Sequence, residues 1–275
     1  MAVARATTVE LYRYHPGGWV RQVLRARPGG FDEGGQPPAV SISQGSGPLV
    51  SITAGWILGN ATAYVLLFLS ADGGTTFIEH RVSIGLRMGA PVFADQRHGV
   101  VVVGPAMSSL YHTADGGASW AVVSFPAPPG GESVTFGTPA LVGNDVEVPV
   151  TMTAADGAQR MSLYRSTNGG ASFEVIDQPP LDVPAAYGGY ASAAILGNVI
   201  WQPAGGYRIY ESADGGRSWT TARTRVSIYP LSLISSRQAI GIAAVAGCRD
   251  GKTNCYSSQY LVRTADAGHT WQYTF

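Results

Sequence analysis

The sequence predicts an all-β fold built from repeated four-stranded antiparallel units, and three observations carry that prediction. First, one short turn motif recurs five times along the 275 residues, at Ser70–Phe77, Thr113–Trp120, Ser166–Phe173, Ser212–Trp219 and Thr264–Trp271. Second, short apolar runs lie between these turns, bounded by Gly, Pro, Asn or Asp, which is how strands are punctuated. Third, no stretch keeps a 3.6-residue apolar period long enough for a helix. The motif reads [ST]-x-[DN]-[GA]-G-x-[ST]-[FW]. Its acidic or amide position falls at Asp72, Asp115, Asn168, Asp214 and Asp266, at intervals of 43, 53, 46 and 52 residues. That period belongs to propeller blades or solenoid units.

The turn chemistry follows from the residue types. A carboxylate at the turn start accepts N–H groups from the residues after it. Glycine supplies positive φ without a steric penalty. The later Ser or Thr hydroxyl bonds back across the turn, and the closing Trp or Phe covers it. Each copy is therefore expected to close a β-hairpin. Asn168 keeps the acceptor oxygen without the charge, so hydrogen bonding suits the position better than metal binding. One carboxylate per turn also falls short of the six or more oxygens a calcium ion takes. No metal and no cofactor is expected.

A sixth, degraded copy is expected at "LYRYHPGGW" (Leu11–Trp19), which aligns with "LYRSTNGGASF" (Leu163–Phe173) but is two residues shorter after the glycines. Strands can be drafted before each full turn: "LVSI", "WILG" and "TAYVLLFLS" before the first; "APVFA", "GVVVVG" and "SLYHT" before the second; "VTFGTPALV", "VEVPVTM" and "MSLYRS" before the third. The fourth follows "GGYASAAIL", "VIWQP" and "YRIYES", and the fifth "SIYPLSLI", "QAIGIAAV" and "QYLVRT". Five full units and an N-terminal hairpin make six hairpins. The expectation is one domain over residues 1–275, with six blades favoured; the first blade would be thin or lack upstream sequence, and the other closure is five blades with an accessory hairpin. Residues 25–38, rich in Gly and Pro, read as a long loop.

The repeated motif resembles the Asp-box, or bacterial neuraminidase repeat, of sialidases, xyloglucanases, sortilin-type receptors and photosystem II assembly factors. The resemblance covers roughly Leu11 to the C-terminus and implies a β-propeller with each box on the c–d hairpin of its blade. It also implies that the boxes are structural and that function sits at the opposite end, on the b–c and d–a loops. Those loops correspond to residues 25–48, 85–90, 126–132, 153–160, 177–190, 203–206, 222–226 and 246–256. Catalytic candidates there are Asp32, Arg87, Asp156, Asp182 and Asp250. Ligand-binding candidates are Arg27, Tyr187, Tyr190, Arg223 and Arg249, with Glu33, Glu132, Arg160 and Arg225 as further polar groups on these loops.

The sialidase arginine motif, Arg-Ile-Pro or Arg-Leu-Pro, is absent, "RARPGG" being the nearest stretch, and no Tyr–Glu nucleophile pair can be assigned. Paired aspartates of a glycoside hydrolase could be drawn from Asp32 and Asp156 or from Asp182 and Asp250. Two readings follow: a non-catalytic binding or scaffolding propeller that recognises a protein or a glycan, and, as the alternative, a glycan-active hydrolase or lyase.

Charged residues make up 13% of the chain and the formal net charge is zero, which argues against a nucleic-acid partner. The longest apolar runs are strand-sized, so this segment is not expected to insert in a membrane. Arginine outnumbers lysine 17 to one, a bias that suggests a GC-rich bacterial source. Cys248 and Cys255 bracket "RDGKTN", where a disulfide across a hairpin tip would call for an oxidising, extracytoplasmic compartment. The lack of a signal peptide then suggests a trimmed chain or part of a longer protein.

Overall fold

The computed structural model describes residues 2–4, 8–26, 39–58, 62–82, 84, 89–104, 108–125, 133–176, 181–182, 193–204, 207–248 and 255–274. These residues contain strands and no helix. The first sheet is β1 (Ala2–Ala4), β2 (Thr8–His15) and β3 (Gly18–Ala26), in that order. Five antiparallel blades follow in series. They are β4 (Ala39–Gln44) to β7 (Ile78–Val82), with β5 at Val50–Leu58 and β6 at Thr62–Ser70; then β8 (Val92–Phe93), β9 (Gly99–Val103), β10 (Ser109–Thr113) and β11 (Ala121–Val122). The third blade is β12 (Ser133–Phe136), β14 (Asp145–Thr153), β15 (Gln159–Ser166) and β16 (Glu174–Val175). Two short strands add to it, β13 (Ala140–Val142) on β14 and β17 (Leu181–Asp182) on β15. The last two are β18 (Ala194–Leu196), β19 (Val199–Ala204), β20 (Arg208–Ser212) and β21 (Thr220–Arg223), then β22 (Ser227–Leu233), β23 (Ala239–Cys248), β24 (Cys255–Thr264) and β25 (Gln272–Tyr273).

Among the described residues the blades number five, where six were favoured. The N-terminal hairpin is real, but among those residues it gains only the three-residue β1, one strand short of a blade. A second difference lies in the first full blade. "LVSITAGWIL" supplies one nine-residue strand where two were drafted, and its inner strand is Ala39–Gln44, which was placed in a loop. Across β4–β5, Val40 pairs Ala54 and Ile42 pairs Ile52, so an alternating "VSIS" was the overlooked strand signal.

The chain forms two compact units: residues 1–125, 144–146 and 166–173, and residues 126–143, 147–165 and 174–275. Within the first, "YVLLFLS" shows why its strand reads as continuously apolar. Leu66 and Phe68 pack with Val9, Leu11, Ile52 and Ala54 on the side of the N-terminal sheet. Val65, Leu67 and Leu69 point the other way and pack with Leu49, Val82 and Phe93. Successive side chains alternate faces, and here both faces are covered. Within the second unit, Met161 and Leu163 of the third blade pack against Ala193, Ile200 and Ala204 of the fourth. Trp201 and Ile209 of the fourth pack against Ile228, Leu231, Ala239, Ala243 and Val262 of the fifth. Outer strands such as β11, β16 and β25 are two residues long and exposed, which limits the unpaired edge they offer.

Candidate functional site

The five repeated turns all sit between the third and fourth strands of their blades, and each closes in the same way. The first hydroxyl accepts the N–H of the second glycine, at 2.7 Å for Ser70 and Gly74 and 2.9 Å for Thr113 and Gly117. It also donates to the carboxylate, at 2.8 Å from Thr113 Oγ1 to Asp115 Oδ1. The carboxylate then accepts the N–H and the hydroxyl of the residue four positions on, as Asp214 does from Ser218 at 2.9 and 2.6 Å. These donors hold the acids ionised. The Ser119 hydroxyl and amide lower the Asp115 pKa to about 2, and the Ser218 hydroxyl and amide do the same for Asp214.

Asn168 adapts the scheme without a charge. Its Oδ1 accepts the Ser172 N–H at 3.1 Å, while its Nδ2 donates to Ser172 Oγ at 2.8 Å. A neutral amide therefore does the same work, as the sequence implied. Asp115→Ala is expected to lower stability by about 1–2 kcal/mol, since it orphans several local donors. Asp115→Asn is expected to cost less than half of that, and urea melts of the two variants check the pair.

The second glycine of each turn has another duty. In the first unit, a Cβ on Gly117 would collide with Leu67 and one on Gly170 with Val100. One on Gly74 would sit 3.5 Å from Leu11 of the N-terminal sheet. In the second unit, one on Gly268 would meet Glu211 Oε1 at 3.0 Å and Trp201 at 3.5 Å. These four turns thus lie directly on the strands of the sheet before them.

Three acids inside strands were not singled out from sequence. Glu10 is 1% exposed and accepts from Tyr12 Oη at 2.7 Å and Arg21 Nη2 at 2.6 Å. Glu147 is 2% exposed and takes Arg165 Nε and Nη2 on Oε1 at 3.0 and 2.5 Å. Glu211 is half-buried, and its Oε1 has no hydrogen-bond partner among the described residues. Glu147 carries a sequence signal, an acid between two valines in "VEV", whereas Glu10 in "TVELYRYH" and Glu211 in "RIYES" sit among polar neighbours.

Burial first, and the charge of Asp266 second, push the Glu211 pKa from 4.5 up to about 7. The sign follows from linkage: a carboxyl raised in the folded state contributes stability that is full below about pH 4.5 and is lost as pH rises through 7. Glu211→Gln is expected to flatten the dependence of the melting temperature between pH 5 and pH 8. It should also leave the variant more stable than the natural chain at pH 8.

The b–c hairpins lie at the opposite end of each blade, and two of them outgrow their sheets. In the first full blade, β4 reaches only to Gly55 and β7 only to Val65. Among the described residues, the pairs Trp56–Tyr64, Ile57–Ala63 and Leu58–Thr62 therefore continue as a two-stranded ribbon. In the last blade, β22 reaches Ala244, while β23 and β24 run on through Val245–Ser258, Ala246–Ser257, Gly247–Tyr256 and Cys248–Cys255.

Of the residues proposed from sequence, Arg27, Asp32, Glu33, Arg87, Glu132, Tyr187, Tyr190, Arg249 and Asp250 lie outside the described residues. Asp182 is placed in β17, opposite Arg160 in β15. Asp156 is exposed in the β14–β15 turn, where it accepts the Ala158 N–H at 2.9 Å. Arg223 is exposed at the end of β21, opposite Arg208. The structure brings Asp182 and Arg160 to one register position. It sets Asp156 into a local turn bond.

Serial four-stranded antiparallel blades place this chain in the β-propeller class. No family model and no curated protein matches the sequence. Among solved structures the chain is similar to YCF48 from Cyanidioschyzon merolae, at 15% identity over 86% of this chain and 83% of that one, with a TM-score of 0.42. It is also similar to the Niastella koreensis GH74 enzyme, at 17% identity over 81% and 36%, TM-score 0.46. A third is Trypanosoma rangeli sialidase in complex with 2,3-difluorosialic acid, at 13% identity over 94% and 49%, TM-score 0.47. The chain spans about a third of the GH74 protein and about half of the sialidase. Function has to be read from this chain's own residues.

Proposed function

We propose that this chain is a non-catalytic binding propeller of the Asp-box type, working outside the cytoplasm. On this reading it recognises a protein or a glycan through the b–c ends of its blades. The observation that carries this is the pair of ribbons that outgrow their sheets at those ends. Paired backbone that runs past the described rest of a blade offers strand surface to a partner. One ribbon places Trp56 opposite Tyr64 and the other carries Tyr256, and aromatic residues are the ones that most enrich recognition surfaces. The turn acids at the other end have local hydrogen-bonding work that accounts for them.

The test pairs turnover with binding. The purified protein is incubated with sialosides and with plant and microbial polysaccharides, and released sugar is measured. The same protein is then presented to a glycan array and to proteins of the source organism. Saturable binding without turnover is expected, and it should weaken in a Trp56→Ala, Tyr64→Ala variant that melts like the natural chain. Sustained release of sugar would overturn the reading in favour of a glycan-active enzyme.

A further inference from the structure

We propose that Cys248 and Cys255 form an intramolecular disulfide that locks the free end of the β23–β24 ribbon. The carrying observation is register. The two cysteines are the last pair of the hairpin, directly opposite one another across antiparallel strands, with Arg249–Asn254 between them. Directly opposed residues have Cα atoms about 4.5–5.5 Å apart, inside the roughly 4.4–6.8 Å range that a disulfide spans. A slip of one residue in either strand would set the two side chains on opposite faces. The pairing is unbroken from Ala239–Thr264 down to the cysteines, so the blade itself sets this register.

The position has a physical use. Beyond Ala244 the ribbon has lost β22, and β25 pairs only with Val262 and Arg263. Two strands without a sheet are marginal in water. A covalent link at the last pair limits fraying where neither β22 nor β25 pairs with the ribbon. The rival chemistry, a metal site, wants two ligands beyond the two cysteines. The inference does not depend on what the chain binds.

The chemistry balances with a small-molecule disulfide as oxidant. One cysteine thiolate attacks glutathione disulfide and expels a glutathione thiolate. The second cysteine attacks the mixed disulfide and expels the other. One S–S bond forms in the protein, two protons and two electrons leave it, and glutathione disulfide is reduced to two glutathione molecules.

The test uses the chain's single lysine, Lys252, which lies between the two cysteines. Folded protein is equilibrated with a glutathione redox pair and treated with iodoacetamide. It is then unfolded in urea and cut after Lys252 with a lysine-specific protease. The expected result is no alkylation, an intact mass about 2 Da below the reduced chain, and two fragments that stay joined until reductant is added. Cys248→Ser is expected to take up one alkyl group and to release its fragments without reductant. Alkylation of both thiols, separation of the natural chain's fragments before reduction, or linkage found only between two chains would each overturn the proposal.

Discussion

Gly170→Ala is expected to destabilise the fold by about 2–4 kcal/mol, from overpacking and backbone strain together. Gly170 sits at φ +97°, outside the region open to an L-residue, and its added Cβ would run into the Val100 side chain with the His112 Cβ 3.6 Å away. Val100 is fully buried, so it has little room to yield. A control separates the two causes. Gly143 also has positive φ, +66°, but a Cβ there would meet nothing within 4 Å. Gly143→Ala should therefore show only the left-handed penalty of roughly 1 kcal/mol. Urea unfolding of both variants gives the comparison. A Gly170→Ala loss no larger than that of Gly143→Ala would show that the turn does not press on the preceding sheet.

Arg165→Ala is the second large effect, with an expected loss of about 2–4 kcal/mol at neutral pH. The arginine side chain is 40% exposed, but the Glu147 it grips is 2% exposed. Removing the guanidinium leaves a buried carboxylate without its bidentate donor. The double variant Glu147→Leu, Arg165→Met should recover most of the loss, because it removes the buried charge instead of stranding it. A double variant as impaired as Arg165→Ala alone would mean that the charge pair does not hold this site.

The five turns were legible because their chemistry is local. The side-chain bonds that Ser70 and Asp72, or Ser212 and Asp214, make within their turns join residues no more than four apart, so composition and spacing specify them, whereas the first glycine of each of these turns donates to a distant carbonyl, Pro48 or Asn198. The same locality let Asn168 be read as a neutral equivalent. The strand Ala39–Gln44 was missed because it follows the Gly- and Pro-rich residues 25–38, and its pairing with β5 is a partnership that only the folded sheet displays. The blade count was overestimated for a related reason. A hairpin signal at Leu11–Trp19 shows two strands, whereas a blade needs two more from elsewhere in the chain, and among the described residues only Ala2–Ala4 is supplied.

Sequence by itself determined the all-β class, the repeat, the turn mechanism and the strand pairs that flank each turn, since these depend on residues a few positions apart. Tertiary structure alone decided which acids are buried and which cation meets them. Glu147 and Arg165 are 18 residues apart in sequence, and Glu211 is perturbed by Asp266 from the following blade. Desolvation and Coulomb interactions depend on distance in space and on the surrounding medium, and neither quantity is written in the order of the residues. The same holds for the second glycine of four of the turns, Gly74, Gly117, Gly170 and Gly268. Its positive φ is a local property, but the strand it presses against belongs to another sheet.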